Sequence, residues 1–396
     1  MNTDRVSPFV RDQLGASALM DFVVGSRWAE RRGAAGISDF VFGNPHELAL
    51  PDFHEAVRKW SVPQDPSWYA YKMSEPVAQQ TVAATLRKRT GMEFMPEDVA
   101  MTNGAFGALA VVLRAIAGAG DDVVFFTPPW FSYESLIKVT GAGAVRVSLQ
   151  PPAFDLDTDV LAKSITERTR AVIVNTPHNP TGRIYSAETL SSVAHVLREA
   201  SQKWGRPVYL ISDEAYNRIV YDDAEFHSPV EFYNEAFLVY TYGKTLLTPG
   251  ERLGYIALPP TMPERELMRA AILMSQISTG WAFPNAILQH ALPDIEPLSI
   301  DIKALQERRD IMFEGLTGMG YELRRPEGTF YLLVRSPIED DQSFVNLLAE
   351  KDVFVMPGTM VELPGWFRIS LTASKDMVTR SLPIFESALN EAKVPA

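Results

Sequence analysis

Short apolar, β-branched runs recur along the first two thirds of the chain, each broken off by Gly, Pro, Asn or Asp. The clearest cover residues 99–102, 123–127, 171–175, 208–212, 237–241 and 253–258. They are apolar at successive positions instead of alternating, as in strands covered on both faces. Amphipathic stretches at 106–117, 187–203 and 264–277 separate several of them. Strands that alternate with helices predict an α/β fold with a mostly parallel central sheet flanked by helices.

The pattern changes over residues 285–396. A helical periodicity at 300–319 is followed by GTFYLLV, VFVMP and WFRISL, which read as shorter strands of a smaller α+β domain. Residues 1–45 are expected to join that domain, with ISDFVFGNP as the crossing point, and 46–284 to form the large domain.

The residues after each strand are TNGAFG, TPPWFSY, NTPHNPTG, SDEAYN and TYGK. Polar and special-geometry positions therefore gather at the carboxyl ends of the strands, the edge along which open α/β sheets bind ligands.

Composition narrows the chemistry. The 396 residues carry a formal net charge of -12 with no basic block, so a large nucleic-acid footprint is not expected. No cysteine is present, which excludes disulfides, thiolate metal sites and cysteine nucleophiles. The six histidines lack metal-ligand spacing, and no metal is assigned. The apolar stretch ALAVVLRAIAGAG is interrupted by Arg114 and is too short to span a bilayer. The N-terminus lacks the apolar core of a signal peptide. A soluble cytoplasmic protein without a membrane partner is the expectation.

Lys244 follows a glycine at the end of an apolar run, has no acid within six residues, and precedes Arg252 by eight. Together HNPTG, SDEAY, this lysine–arginine spacing and FRIS at 367–370 resemble the class I/II aminotransferases, fold-type I enzymes of pyridoxal 5'-phosphate. Taken alone each motif has a plainer reading: Asp213 as a helix N-cap, HNPTG as a turn, TNGAFG as a strand–helix turn. Their order and spacing along nearly the whole chain carry the resemblance.

The resemblance implies the following roles. Lys244 corresponds to the Schiff-base lysine, with Gly243 letting the backbone pass close to the cofactor; once freed, its amine shuttles a proton. Asp213 corresponds to the carboxylate that pairs with the pyridine nitrogen and keeps it protonated. Tyr216 and Asn179 correspond to the groups that bond the phenolic oxygen. Gly104, Ala105 and Phe106 open a helix after a strand, where backbone N–H groups face a phosphate. Thr241 and Arg252 join them there, and Tyr71 corresponds to the tyrosine reaching the phosphate of a neighbouring subunit. Trp130 corresponds to the aromatic residue stacked on the ring. Arg368 corresponds to the arginine that clamps the substrate α-carboxylate, with Gly43 and Asn179 beside it.

Departures from the commoner pattern are Gly243 for a Ser or Ala, no hydroxyl at Ala105-Phe106, and Glu75-Pro76 after Tyr71 where a glycine is usual. Ala105 stands where one aspartate-specific branch has lysine. Trp130, Phe131, Tyr133 and Trp281 suit an apolar or aromatic pocket. The STGW stretch at 278–281 is a candidate to reach a neighbouring site. His178 reads as structural. Arg183 either binds an acidic group or pairs with a surface carboxylate, and both readings stand.

The expected function is transfer of the amino group of an α-amino acid to a 2-oxo acid, in a homodimer with sites at the interface. A β-elimination lyase, decarboxylase or oxidase on the same fold is the alternative. A non-catalytic pyridoxal-phosphate-binding regulator is a third reading.

Overall fold

The computed structural model describes residues 5–15 and 18–393. The outermost residues of the two terminal segments, 1–4 and 394–396, lie outside that range. Twelve strands occur among the described residues: β1 (Ser38–Asp39), β2 (Val99–Thr102), β3 (Asp122–Thr127), β4 (Gly143–Ser148), β5 (Thr169–Asn175), β6 (Tyr209–Asp213), β7 (Ala236–Thr241), β8 (Gly254–Ala257), β9 (Tyr331–Arg335), β10 (Val353–Phe354), β11 (Met356–Pro357) and β12 (Trp366–Ser370).

Seven of them form the large sheet in the order β2-β8-β7-β6-β5-β3-β4. The pairs from β4 to β7 are all parallel, while β8 runs antiparallel to both β7 and β2. Parallel neighbours need a crossover, and helices such as Ala187–Trp204 provide it. The reversal at β8 comes from the short loop that carries Lys244 and Arg252, which returns the chain without crossing the sheet. The apolar run at 253–258 foretold a strand here but not its direction.

The crossover helix Ala187–Trp204 shows why these segments are helical. Ser186 caps it through its side chain to Thr189 N, Gly205 ends it in the left-handed region at φ 64°, and Leu190, Val193, Ala194, Leu197 and Ala200 form its buried stripe. The helix Gly104–Ile116 begins two residues earlier than its amphipathic pattern indicates.

Because β2 is antiparallel to β8, and β8 to β7, strand β2 points the same way as β7. The carboxyl ends Thr102, Thr127, Asn175, Asp213 and Thr241 therefore share one edge, with Asn175 opposite Asp213 and Asp213 opposite Val239.

The antiparallel sheet β11-β12-β9 lies apart from the large sheet. It places Arg368 opposite Met356 on one side and Leu333 on the other. Strand β1 pairs in parallel with β10 in a two-stranded sheet of its own, and Ser370 N of β12 donates to Phe40 O at 2.8 Å, so the segment after residue 37 is tied to this smaller sheet. Helices Ile302–Met319 and Lys375–Ala392 pack beside it around Phe344, Phe367 and Phe385.

Candidate active site

A cavity of about 740 Å³ opens at the carboxyl edge of the large sheet and is closed by the smaller sheet and the N-terminal segment. Lys244 lies in the turn of helix Tyr242–Thr245, directly after β7. Its Nζ stands 5.8 Å from the ring centre of Tyr216 and 5.7 Å from that of Phe330. No carboxylate pairs with it among the described residues. Gly243 is required by its own loop: a Cβ there would stand 2.9 Å from Pro249 Cα, so what this glycine admits is the returning chain as well as the cavity.

Asp213 ends β6 and is buried. Tyr133 donates to its Oδ2 at 2.6 Å, and Ala215 N to its Oδ1 at 3.3 Å. Burial pushes the carboxyl above the usual carboxylate range, an effect that the Tyr133 and Ala215 bonds and the Lys244 charge only partly offset. Burial and the Asp213 charge push the Tyr133 phenol well up in turn. The sequence placed Tyr133 among pocket aromatics; its bond to a carboxylate 80 residues away left no local signal.

Arg368 is 1% exposed. Its Nη1 donates to Asn179 Oδ1 and its Nη2 to Val41 O, each at 2.9 Å, while its Nε has no partner among the described residues. The guanidinium lies over the Tyr331 ring, 3.9 Å from the centroid. Asn179 is held by its backbone N–H to Asn175 Oδ1 at 2.8 Å, and Asn175 Nδ2 bonds Asp213 O at 2.9 Å, so the HNPTG loop is fastened to the strand that carries Asp213. Tyr216 donates to Tyr331 at 3.4 Å. Burial raises the Tyr216 phenol. At Tyr331 burial pushes up as well, but the Arg368 and Lys244 charges and the bond from Tyr216 together more than offset it and hold that phenol below an ordinary tyrosine. Tyr331 and the cavity-lining Leu19 and Val23 were not read from the sequence as site residues. Gly43 lines the cavity beside them, where a Cβ would approach Phe330 to 2.5 Å.

At the other end Arg252 reaches the first turn of helix Gly104–Ile116. Its Nη1 donates to Pro249 O at 2.8 Å and its Nη2 to Asn103 O at 3.2 Å, and no described carboxylate pairs with it. Partial burial lowers its pKa. Gly104 has φ 76°, and a Cβ there would stand 2.7 Å from Arg252 Nη2, so the glycine makes room for the guanidinium. The helix has no side-chain N-cap, which leaves its N-terminal N–H groups beside that cation. Ala105, Phe106, Trp130 and Thr241 also line the cavity. The Thr241 hydroxyl donates to Leu253 O at 3.3 Å. Trp130 meets Phe106 and Tyr133 edge to face at 5.1 and 5.5 Å.

Comparison with known proteins accounts for this arrangement. The family described as Aminotransferase class I and II matches residues 43–382. The chain belongs to that family. It is an aminotransferase, and among proteins similar to it is the aspartate/prephenate aminotransferase of Thermus thermophilus, 30% identical over 91% of this chain and 93% of that one. A probable aspartate/prephenate aminotransferase of Aquifex aeolicus is 29% identical over 92% and 94% of the two chains. Among solved structures, an amino transferase of Eubacterium rectale superposes with a TM-score of 0.91 at 28% identity, covering 98% of this chain and 100% of that one.

Within this aminotransferase, several residues singled out in the sequence lie elsewhere. Tyr71 is 87% exposed, outside the cavity of its own chain, and packs on Phe283 with centroids 4.9 Å apart. Trp281, in contrast, lines the cavity of its own chain, as expected of a pocket aromatic. Arg183 bonds Asp155 at 2.8 Å and Glu327 at 2.7 Å, a link from the HNPTG loop to the segment before β9, and so pairs with carboxylates of its own chain outside the cavity. His178 is buried against Thr181 Oγ1 at 2.9 Å, and burial lowers its pKa to about 3. Among the described residues no helix is long and apolar enough to cross a membrane.

Proposed function

We propose that this aminotransferase holds pyridoxal 5'-phosphate between Asp213 and Arg252, with Lys244 as its reactive amine. The observation that carries the reading is one cavity containing an unpaired lysine, a buried carboxylate and two guanidiniums without carboxylate partners. The residues fit the cofactor. Gly104 leaves Arg252 and the open helix N-terminus free to take a dianionic phosphate. A buried carboxylate of raised pKa is stabilised by a cationic ring nitrogen. When bound, the cofactor supplies an aldehyde that accepts the amino group and a ring that withdraws electrons from the substrate Cα.

The chain's own residues do the rest. Arg368 takes the substrate α-carboxylate in a fork, the bond its free Nε leaves room for. Lys244 presents Nζ as nucleophile and then moves the proton at the substrate Cα. Asp213, its Oδ2 already held by Tyr133, keeps the proton on the ring nitrogen. Asn179 and Tyr216 offer an amide and a hydroxyl to the phenolic oxygen. Trp130, in the cavity wall, would exclude water from the cofactor ring.

We further infer a homodimer. Leu267, Met274 and Ile277 lie exposed on the helix Arg265–Thr279, continued by Phe283 and Tyr71. Such an apolar stripe needs a cover, and a second copy that supplies it would bring Tyr71 toward the partner's phosphate end.

Purified protein supplied with pyridoxal phosphate is expected to gain visible absorbance. An amino acid should shift it and a 2-oxo acid restore it. Absence of cofactor uptake, or a bound-cofactor spectrum and amino-acid response unchanged in Lys244→Ala, overturns the assignment.

A further inference from the structure

The cavity holds more room than the cofactor contacts use, and its remaining wall has a consistent character. Among the described residues that line it, the cations are Lys244, Arg252 and Arg368, and the carboxylate is Asp213. The proposed function employs all four. Beside Arg368 the wall consists of Leu19, Val23, Trp28, Phe42 and Phe131.

This wall is built rather than incidental. Leu19 and Val23 stand four residues apart on the helix Ala18–Gly25, hence on one face. Trp28 meets Phe42 edge to face at 5.2 Å. Met356, Met360 and Val361 back the cluster, and Phe131 joins it from the loop after β3. The clamp is anchored to the same segment, since Arg368 Nη2 bonds Val41 O. A substrate gripped at its α-carboxylate by Arg368 therefore has this wall beside it. Asn44 at the rim is neutral, and Arg32, which lies 5.5 Å from the Trp28 ring centre, is not part of the cavity lining.

We propose that the amino-acid substrate carries an apolar side chain of aromatic size, selected by the wall of Leu19, Val23, Trp28, Phe42 and Phe131; this rests on the aminotransferase site described above, with Arg368 as the clamp. A second carboxylate placed against the wall loses its hydration and finds no cation among the described lining residues. A phenyl or branched aliphatic group instead buries apolar area there. Specificity arises from both effects, the gain for one class and the unpaired charge for the other. The aspartate in the names of several relatives is therefore not carried over to this chain.

The test uses the holoenzyme and unreactive carboxylates, measured by titration calorimetry. 3-Phenylpropionate is expected to bind at least about tenfold more tightly than either propionate or succinate, a difference of about 1.4 kcal/mol. Tighter binding of succinate overturns the proposal while leaving the aminotransferase site intact. Single turnovers with phenylalanine, leucine and aspartate, followed by cofactor absorbance, separate the two levels. Reaction with phenylalanine or leucine well ahead of aspartate supports the wall. Faster reaction with aspartate refutes it. No reaction with any of them brings down the site assignment and the proposal with it. Val23→Arg places a cation in the wall and should move the succinate to 3-phenylpropionate affinity ratio at least about tenfold toward succinate. An unmoved ratio in a variant whose circular dichroism matches the parent overturns the role of the wall.

Discussion

Arg368 lies over the Tyr331 ring, with 3.9 Å between guanidinium carbon and ring centroid, and this contact holds a buried cation that no described carboxylate neutralises. The ring face offers partial compensation through its quadrupole, and Asn179 and Val41 take two of the N–H groups. A cation kept dry in this way is ready for an anionic ligand.

Arg368→Lys keeps the charge but removes both the fork and the guanidinium that lies over Tyr331. The expected result is a fall in kcat/KM for amino acids of roughly 100-fold, about 2–3 kcal/mol, with cofactor affinity nearly unchanged. Steady-state kinetics beside a cofactor titration checks both halves.

Asp213→Asn should separate stability from activity. The buried carboxyl has a raised pKa in the apoprotein, so its favourable contribution is complete below the ordinary carboxylate pKa. That contribution is lost as pH rises through the folded value. At pH 7 the neutral amide is then the better buried group, and the apo variant should melt higher than the parent. Transamination should nearly vanish. Calorimetric scans of both apoproteins at pH 4 and pH 7 test the sign, with the advantage of the variant shrinking at the lower pH.

Gly104→Ala introduces no charge, yet it should weaken cofactor binding. The new Cβ meets Arg252 Nη2, and φ 76° is costly for alanine, on the order of 1–2 kcal/mol. Displacement of the guanidinium should raise the cofactor Kd about tenfold or more, in the same direction as Arg252→Ala. Equilibrium dialysis of the cofactor against both variants checks the parallel.

Arg183→Met tests a residue outside the cavity. It breaks the pairs with Asp155 and Glu327, part-buried contacts whose loss should cost about 1–2 kcal/mol of stability. Amino-acid kcat/KM is expected to stay within about twofold of the parent. A large kinetic loss without a change in Tm would return Arg183 to the site.

The expected apolar edge of the dimer is equally direct to probe. Ile277→Asp with Met274→Asp should shift the protein from dimer to monomer in analytical ultracentrifugation, and weaken cofactor retention if Tyr71 acts across the interface.

The sequence by itself determined six of the seven strands of the large sheet, all but β4, the edge that bears the chemistry, and, through the family resemblance, the candidates Lys244, Asp213, Asn179, Arg252 and Arg368. These were legible because they are local: a buried strand is a continuous apolar run, and its carboxyl end is marked by the residue that breaks the run. Lys244 and Arg252 share one loop, so their spacing survives in the linear pattern. Only the tertiary structure decided the bond from Tyr133 to Asp213, the placement of Tyr331 under Arg368, and the pairing of Arg183 with Asp155 and Glu327. Each is a contact between segments far apart in the chain, made by residue types that also fill ordinary cores and surfaces. Nothing in the neighbourhood of such a residue encodes its distant partner. The joint packing of the two sheets and the N-terminal segment sets it, by burying polar groups where few arrangements can satisfy them.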